Sequence, residues 1–336
     1  MENFIVSARK YRPTTFSTVI GQETITQTLK NSISTGHLGQ AYLFCGPRGV
    51  GKTTCARIFA KTINCQNLSA DVEACNECES CKSFNNSTSF NIFELDAASN
   101  NSVDDIRQLI DQVRIPPQVG KYSVYIIDEV HMLSQQAFNA FLKTLEEPPR
   151  HAIFILATTE KHKIIPTIIS RCQIFDFNRI KIDDIVRQLT NVAQKEGITI
   201  EPEAANVIAT KASGGLRDAL SIFDQIVSFS GKNVTYQSTI DNLNVLDYEY
   251  FFTMTNYFLA GDYSSALITF DEILNKGFDD RNFLLGLCSH FRDLLVSKDP
   301  RTLKLLEVSD KTKQHYMEQS AKCSPDFLFS ALDISQ

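Results

Sequence analysis

With 336 residues, 43% hydrophobic and 21% charged content, the chain has the make-up of a globular protein large enough for two or three cores. Its longest apolar runs, such as Ala152–Ala157, are too short to cross a bilayer, and the charged opening (Glu2, Arg9, Lys10, Arg12) lacks a signal-peptide core. The expectation is therefore a cytoplasmic chain without a membrane partner. The net charge of −6 means that any nucleic-acid contact must come from a local basic stripe, and nine cysteines in an unexported chain point to metal or buried thiols instead of disulfides.

In chain order, Arg9-Lys10-Tyr11-Arg12-Pro13 reads as an extended basic segment, since Pro13 disfavours helix at Arg12. On its residues alone it is a solvated arm. Ile20-Gly21-Gln22 then leads into a helix over Glu23–Ile33. The short apolar run Ala41–Cys45 reads as a buried strand.

The loop after that strand organises the chain. Gly46-Pro47-Arg48-Gly49-Val50-Gly51-Lys52-Thr53-Thr54 fits a glycine, four free positions, then Gly-Lys-Thr. Glycines let the backbone turn tightly, so that successive N–H groups face a phosphate. Lys52 supplies a cation for the β- and γ-phosphates and Thr53 a hydroxyl for Mg²⁺. The next helix, Thr54–Ile63, places its N-terminus against the same anion. Strand, loop and helix together predict a nucleoside triphosphate site.

Cys65, Cys75, Cys78 and Cys81 come next, spaced C-x9-C-x2-C-x2-C. Overlapping C-x2-C units turn their sulfurs inward, and Cys65 at a helix end completes a tetrahedral S₄ set. The intervening residues are too polar to form a core, so the expected organiser is a structural Zn²⁺ with no open ligand position. The other five cysteines sit among apolar neighbours and read as packing.

Further strands are expected over Asn91–Asp96, Ser123–Ile127, Ala152–Ala157 and Gln173–Phe177, with helices over Asp104–Val113 and from an N-cap at Ser134 through Glu147. The third strand ends in Asp128-Glu129, at the sheet edge where open α/β folds place their chemistry. Asp128 is the residue to hold Mg²⁺, directly or through water, and Glu129 the base for an attacking water. Thr158-Thr159, at the end of the fourth strand, offer hydroxyls to a γ-phosphate or its water. Five strands alternating with helices predict an α/β fold with a parallel, doubly wound sheet.

After Asn178 the pattern is helical. Ile182–Glu196, Pro202–Lys211 and Gly215–Ser228 form a three-helix group within residues 179–242, and residues 243–336 form an all-α domain with helices over Tyr248–Leu259, Tyr263–Lys276 and Arg281–Ser297. Phe327–Ile334 is an apolar pattern that stops at the chain's end, as in a truncated or shorter product. Arg217, in a helix first turn after Gly214-Gly215, does nothing for the helix dipole and wants another reason.

The P-loop, Asp128-Glu129-Val130-His131, Thr158-Thr159 and Ser170-Arg171-Cys172 occur in the order seen in AAA+ clamp-loader ATPases. With the four-cysteine insertion directly after the P-loop helix, the chain resembles the gamma/tau family of bacterial DNA polymerase III subunits, from about Ala8 onward and more weakly in the last domain. The resemblance implies an AAA+ domain at 1–178, a helical lid at 179–242 and an oligomerising collar at 243–336. It implies ATP as the nucleotide, with Tyr11, Arg12, Pro13, Val19 and Ile20 beside the adenine, Thr159 as sensor 1 and Arg217 as sensor 2. Arg171 would enter a neighbouring subunit's site, and Arg107 and Lys143 match phosphate-contacting positions for DNA.

The implied partners are delta and delta-prime subunits and further copies in a pentameric ring. That ring opens the sliding clamp and loads it on primed DNA, with polymerase and helicase as further partners of a longer tau-like form. The holoenzyme is a DNA-directed DNA polymerase, yet nothing in this chain resembles a polymerase site. Asn100-Asn101-Ser102 departs from the pattern, since relatives carry basic residues there; a thinner stripe predicts a shallower salt dependence of DNA binding. Two other classes stay open: a different AAA+ DNA-remodelling ATPase, and a non-hydrolysing scaffold.

Overall fold

The computed structural model describes residues 5–117, 120–243, 245–306 and 308–335. Two compact units divide the chain: Met1–Ile185 with Ala212–Ser221, and Val186–Lys211 with Ile222–Gln336.

The first unit is built on a five-stranded parallel sheet of β1 (Ala41–Cys45), β2 (Ile92–Asp96), β3 (Ser123–Asp128), β4 (Ala152–Thr158) and β5 (Gln173–Asp176), in the order β2-β3-β4-β1-β5. Strands β1 and β4 are buried at every position, because helices cover both faces. On one face α2 (Glu23–Thr35) and α3 (Lys52–Ile63) bring Leu29, Cys55 and Phe59 against Tyr42, Phe44, Ile126 and Ile155. On the other, α5 (Val103–Val113) and α6 (Gln135–Glu146) bring Ile106, Leu109, Phe138 and Phe141 against Leu43, Tyr125, Ile127 and Phe154. Each large apolar side chain taken fully out of water contributes about 1.5–3 kcal/mol, and successive residues along a strand deliver that burial to opposite faces of the sheet.

Local capping chemistry sets the helix starts. Ser134 accepts a hydrogen bond from the Ala137 N–H at 3.2 Å at the start of α6, as its sequence position predicts. Ser102 and Asp105 form a reciprocal capping box at the start of α5.

The arm at Arg9–Pro13 differs from the extended segment expected. A one-turn helix, α1 (Ser7–Lys10), is closed by the Lys10 and Tyr11 N–H groups donating to the Val6 and Ser7 carbonyls. Pro13 restrains only Arg12, which leaves the turn before it free to coil. Two further short α-helices, α4 (Glu79–Asn85) and α7 (Pro166–Ile169), belong to this unit, as do parts of α8 and α10.

Beyond β5 come α8 (Ile182–Glu196), β6 (Thr199–Ile200), α9 (Pro202–Lys211), α10 (Leu216–Ser230), β7 (Asn233–Val234) and α11 (Tyr236–Leu243). Helices α8, α9 and α10 are the three expected, α11 follows them across residue 242, and β6 pairs with β7 in a two-residue parallel ladder. The second unit continues through α12 (Tyr248–Ala260), α13 (Tyr263–Asn275), α14 (Asp280–Val296), α15 (Asp310–Lys322) and α16 (Pro325–Ser335). Its core gathers Phe251, Phe252, Phe283, Phe291 and Tyr316. Helix α15 escaped the sequence reading because its buried side includes Gln319 and Ser320, which break the apolar period. Buried His290 of α14 meets the Tyr316 hydroxyl at 3.0 Å and Gln319 Oε1 at 3.1 Å.

Candidate functional site

The carboxyl ends of β1 and β3 meet the N-terminus of α3 at a cleft of about 550 Å³. Gly46 leaves β1 with φ 147°, and a Cβ there would collide with the Phe177 carbonyl, so only glycine fits. Gly51 caps α3 in the left-handed region, φ 105°. Between them the loop curls so that α3 begins at Lys52.

Lys52 is 6% exposed, and its ammonium donates to the Gly46 and Pro47 carbonyls at 2.8 and 2.7 Å. Burial holds its pKa below the ordinary lysine value, opposed by Glu129 and Asp128. The neighbouring Thr53 hydroxyl donates to Asp128 Oδ2 at 2.6 Å, while Asp128 Oδ1 accepts from the Glu129 N–H at 3.0 Å. A hydroxyl and a carboxylate in contact are hard oxygen donors suited to Mg²⁺.

Glu129 has φ 47° and ψ 45°, a left-handed conformation rare outside glycine and one that gathers at functional sites. That backbone turns its carboxylate to Thr159, whose N–H and hydroxyl donate to Glu129 Oε2 at 3.2 and 3.0 Å. His131 Nδ1 lies 3.4 Å from the same oxygen and 3.0 Å from the Thr158 hydroxyl. Of the two threonines, Thr159 therefore faces the glutamate and Thr158 is buried against the histidine.

The opposite wall comes from Tyr11, Arg12, Pro13, Val19 and Ile20, all of which line the cleft with Arg48 and Thr54. Arg12 Nε donates to the Thr54 hydroxyl at 3.1 Å; burial and then nearby Arg57 push its pKa down. Arg217 reaches the cleft from α10, where its N–H meets the Gly49 carbonyl at 3.4 Å.

The cleft also holds residues that the sequence did not announce. Glu94 of β2 lines it and pairs with Arg57. Its signal was a charged residue inside Ile-Phe-Glu-Leu, near the carboxyl end of a strand. Ile180, Leu216 and Leu220 add apolar surface, and nothing in their sequence context separates them from core residues.

Three expected site residues lie elsewhere. Arg171 pairs with Glu146 at 2.8 Å and donates to the Thr167 carbonyl at 2.8 Å, while Asp176 pairs with Lys161. Arg107 and Lys143 are exposed on the adjacent helices α5 and α6, and Arg107 is 3.3 Å from Asp104. A larger hollow, about 710 Å³ among α11, α12 and α13, carries no phosphate-binding loop.

The four cysteine sulfurs all lie within 4.8 Å of one another, with Cys65 and Cys75 at 3.5 Å and Cys75 and Cys81 at 4.0 Å. Sulfurs tetrahedrally bound to Zn²⁺ at 2.3 Å would be about 3.8 Å apart, so the set fits that ion. Glu77 and Cys78 N–H groups donate to the Cys75 sulfur and hold its pKa down to about 6, whereas burial raises Cys65 and Cys81. Cys81 and Cys78 are buried, and the cluster is a small core of its own with Ala74.

Comparison with known proteins bears on the whole chain. Residues 21–181 match the family model described as DNA polymerase III, delta subunit, and residues 184–232 the one described as DNA polymerase III clamp loader subunit, ATPase lid domain. The chain is 44% identical over 97% of its length to DNA polymerase III subunit tau of Bacillus subtilis, covering 58% of that protein. It is 40% identical to subunit gamma/tau of Mycoplasma genitalium over 92% of its length, covering 53% of that relative. The chain thus spans little more than half the length of these two. DNA polymerase III subunit gamma of Buchnera aphidicola is 36% identical over 96% of the chain and is itself 87% covered. Among solved structures, the Holliday junction branch migration motor RuvB of Thermotoga maritima aligns with TM-score 0.52 at 19% identity, over 74% of this chain and 78% of that one. That likeness shows the shared AAA+ fold alone. Near-complete coverage of a gamma subunit, together with the clamp-loader lid match, shows that the chain belongs to the DNA polymerase III gamma/tau family.

Proposed function

We propose that the chain is an ATP-hydrolysing motor subunit of a bacterial clamp loader. The observation that carries this reading is the contact between Thr53 and Asp128 beneath the Lys52 loop, with Glu129 beside it. Lys52 would meet the β- and γ-phosphates. Thr53 and Asp128 would hold Mg²⁺, which supplies positive charge to the phosphate oxygens. Glu129 would take a proton from the attacking water, with Thr159 orienting its carboxylate as sensor 1 and Arg217 reaching the phosphates as sensor 2. Tyr11, Arg12, Pro13, Val19 and Ile20 would hold the adenine. Arg171 would act on the ATP of a neighbouring subunit, and Arg107 and Lys143 would contact the DNA backbone.

Family membership supports the rest. Residues 179–242 serve as lid and 243–336 as collar in a pentameric ring with delta, delta-prime and further copies. That ring opens the sliding clamp on primed DNA in the cytoplasm, and polymerase and helicase join through a longer form. Cys65, Cys75, Cys78 and Cys81 hold one structural Zn²⁺. The test is ATP hydrolysis by the reconstituted ring with and without clamp and primed DNA. Stimulation by the pair together is expected; a rate indifferent to both would overturn the reading.

A further inference from the structure

The insertion that carries the four cysteines holds the segment that joins two stretches of the nucleotide-cleft lining. Glu73 Oε2 accepts from the Phe16 N–H and Oε1 from the Ser17 N–H, both at 2.9 Å, and Oε1 also meets Lys30 at 2.8 Å. Beside it Lys61, 2% exposed, donates to the Thr14 carbonyl at 2.9 Å and to Asn76 Oδ1 at 2.7 Å. The segment so held runs directly between Arg12-Pro13 and Val19-Ile20, the two stretches that line the cleft on that side. Phe16 anchors it in the core of the sheet.

The remaining bonds of Glu73 and Asn76 include local ones within the insertion: the Glu73 N–H donates to the Ser69 hydroxyl and its carbonyl accepts from the Ser69 N–H, both at 3.0 Å, and the Asn76 amide donates to the Ala74 carbonyl at 3.2 Å. Glu73 lies in the loop whose ends are drawn together by the sulfurs of Cys65 and Cys75, 3.5 Å apart, where Ala74 is the buried residue between those cysteines, and Asn76 follows that loop. Asn76 sits left-handed at φ 60°, immediately after Cys75. A loop this polar cannot offset the entropy of its own ordering by burial, so closing the sulfurs on an ion is what would fix the two side chains. Four thiolates around a divalent ion carry net negative charge, a favourable neighbour for the buried Lys61 ammonium.

We propose that the cysteine cluster clasps the cleft wall through Glu73 and Lys61, so that metal held by the four cysteines tightens nucleotide binding. This rests on the readings of the cleft and of the cluster given under Proposed function. The hydrogen bonds to Thr14, Phe16 and Ser17 tie the insertion to the segment that joins two stretches of the cleft lining.

The test uses the full chain, a fluorescent ATP analogue with Mg²⁺, zinc analysis of the purified protein, and amide exchange at Phe16 and Ser17. Glu73→Ala is expected to keep its zinc, to expose both amides to exchange, and to bind nucleotide about tenfold more weakly, since the competent wall is populated less. Cys78→Ser should lose zinc and weaken binding by a similar factor. The double variant should be no weaker than Cys78→Ser, because both act through one contact. Zinc-loaded Glu73→Ala with wild-type affinity, or a double variant whose losses multiply, would overturn the clasp while leaving the site intact. Wild-type affinity in Lys52→Ala would instead overturn the reading of the cleft, and the clasp with it.

Discussion

Thr53 of α3 donates its hydroxyl to Asp128 of β3 at 2.6 Å, across 75 residues of sequence. The bond joins two elements that the sheet order brings together, since β3 and β1 are separated only by β4. It also makes a ready pair of oxygen donors at the carboxyl ends of the strands, where open parallel sheets bind ligands.

Asp128→Asn keeps the acceptor for the Glu129 N–H but removes the charge. Nucleotide binding should lose most of its dependence on Mg²⁺, and hydrolysis should fall by at least about 10²-fold, the scale of a lost electrostatic stabiliser. Titrating nucleotide with and without Mg²⁺ checks this; an unchanged Mg²⁺ dependence contradicts it.

Arg171 pairs with Glu146, away from its own chain's P-loop. An arginine supplied to a neighbour's transferring phosphoryl group is worth about 10³–10⁵ in rate. Arg171→Ala and Lys52→Ala rings should each hydrolyse poorly. Mixing the two variants, with subunit exchange confirmed, should restore some activity through interfaces that join an intact Lys52 to an intact Arg171. No recovery would confine Arg171 to its own subunit.

Metal analysis should find one zinc for the four cysteines. Chelation or Cys81→Ser should loosen the segment around Cys75, with faster amide exchange there and a lower melting temperature, because binding energy of the ion is folding energy for so polar a loop. Zinc-free protein with an unchanged thermal transition would refute the site.

Burial of His290 pushes its pKa down to about 4. Its neutral form is native, so the stabilisation is complete above about pH 6.5 and is lost as pH falls toward the folded pKa. Between pH 7 and pH 4 the resulting loss is about 3 kcal/mol. Urea unfolding across that range should show this slope, and His290→Gln should flatten it. An equal slope in the variant would place the titration elsewhere.

Much of the fold was legible because strong local signals agreed. Ala41–Cys45 is apolar throughout and stops at a glycine that no other residue could replace, so the strand and its loop were unmistakable. Asp128 and Glu129 were found by the same pattern, a buried strand that ends in charge. The bond from Thr159 to Glu129 was not, since it depends on the left-handed backbone at Glu129. Glu94 and the Glu73 contacts are tertiary events: each carboxylate finds its partner through strand order or loop closure, which residue spacing does not encode. Helix α15 was missed because Gln319, a polar residue, is buried by its bonds to His290 and the Phe252 carbonyl.

The central claim, that the cleft binds ATP and hydrolyses it at Glu129, is tested most directly by measuring nucleotide affinity and hydrolysis side by side in Lys52→Ala and Glu129→Gln. Lys52→Ala should lose affinity, because it removes the cation buried under the loop. Glu129→Gln should bind as the natural chain does and hydrolyse about 10²-fold or more slowly, the scale of a lost general base. Equal loss of binding in both variants, or unimpaired hydrolysis in Glu129→Gln, would contradict the account.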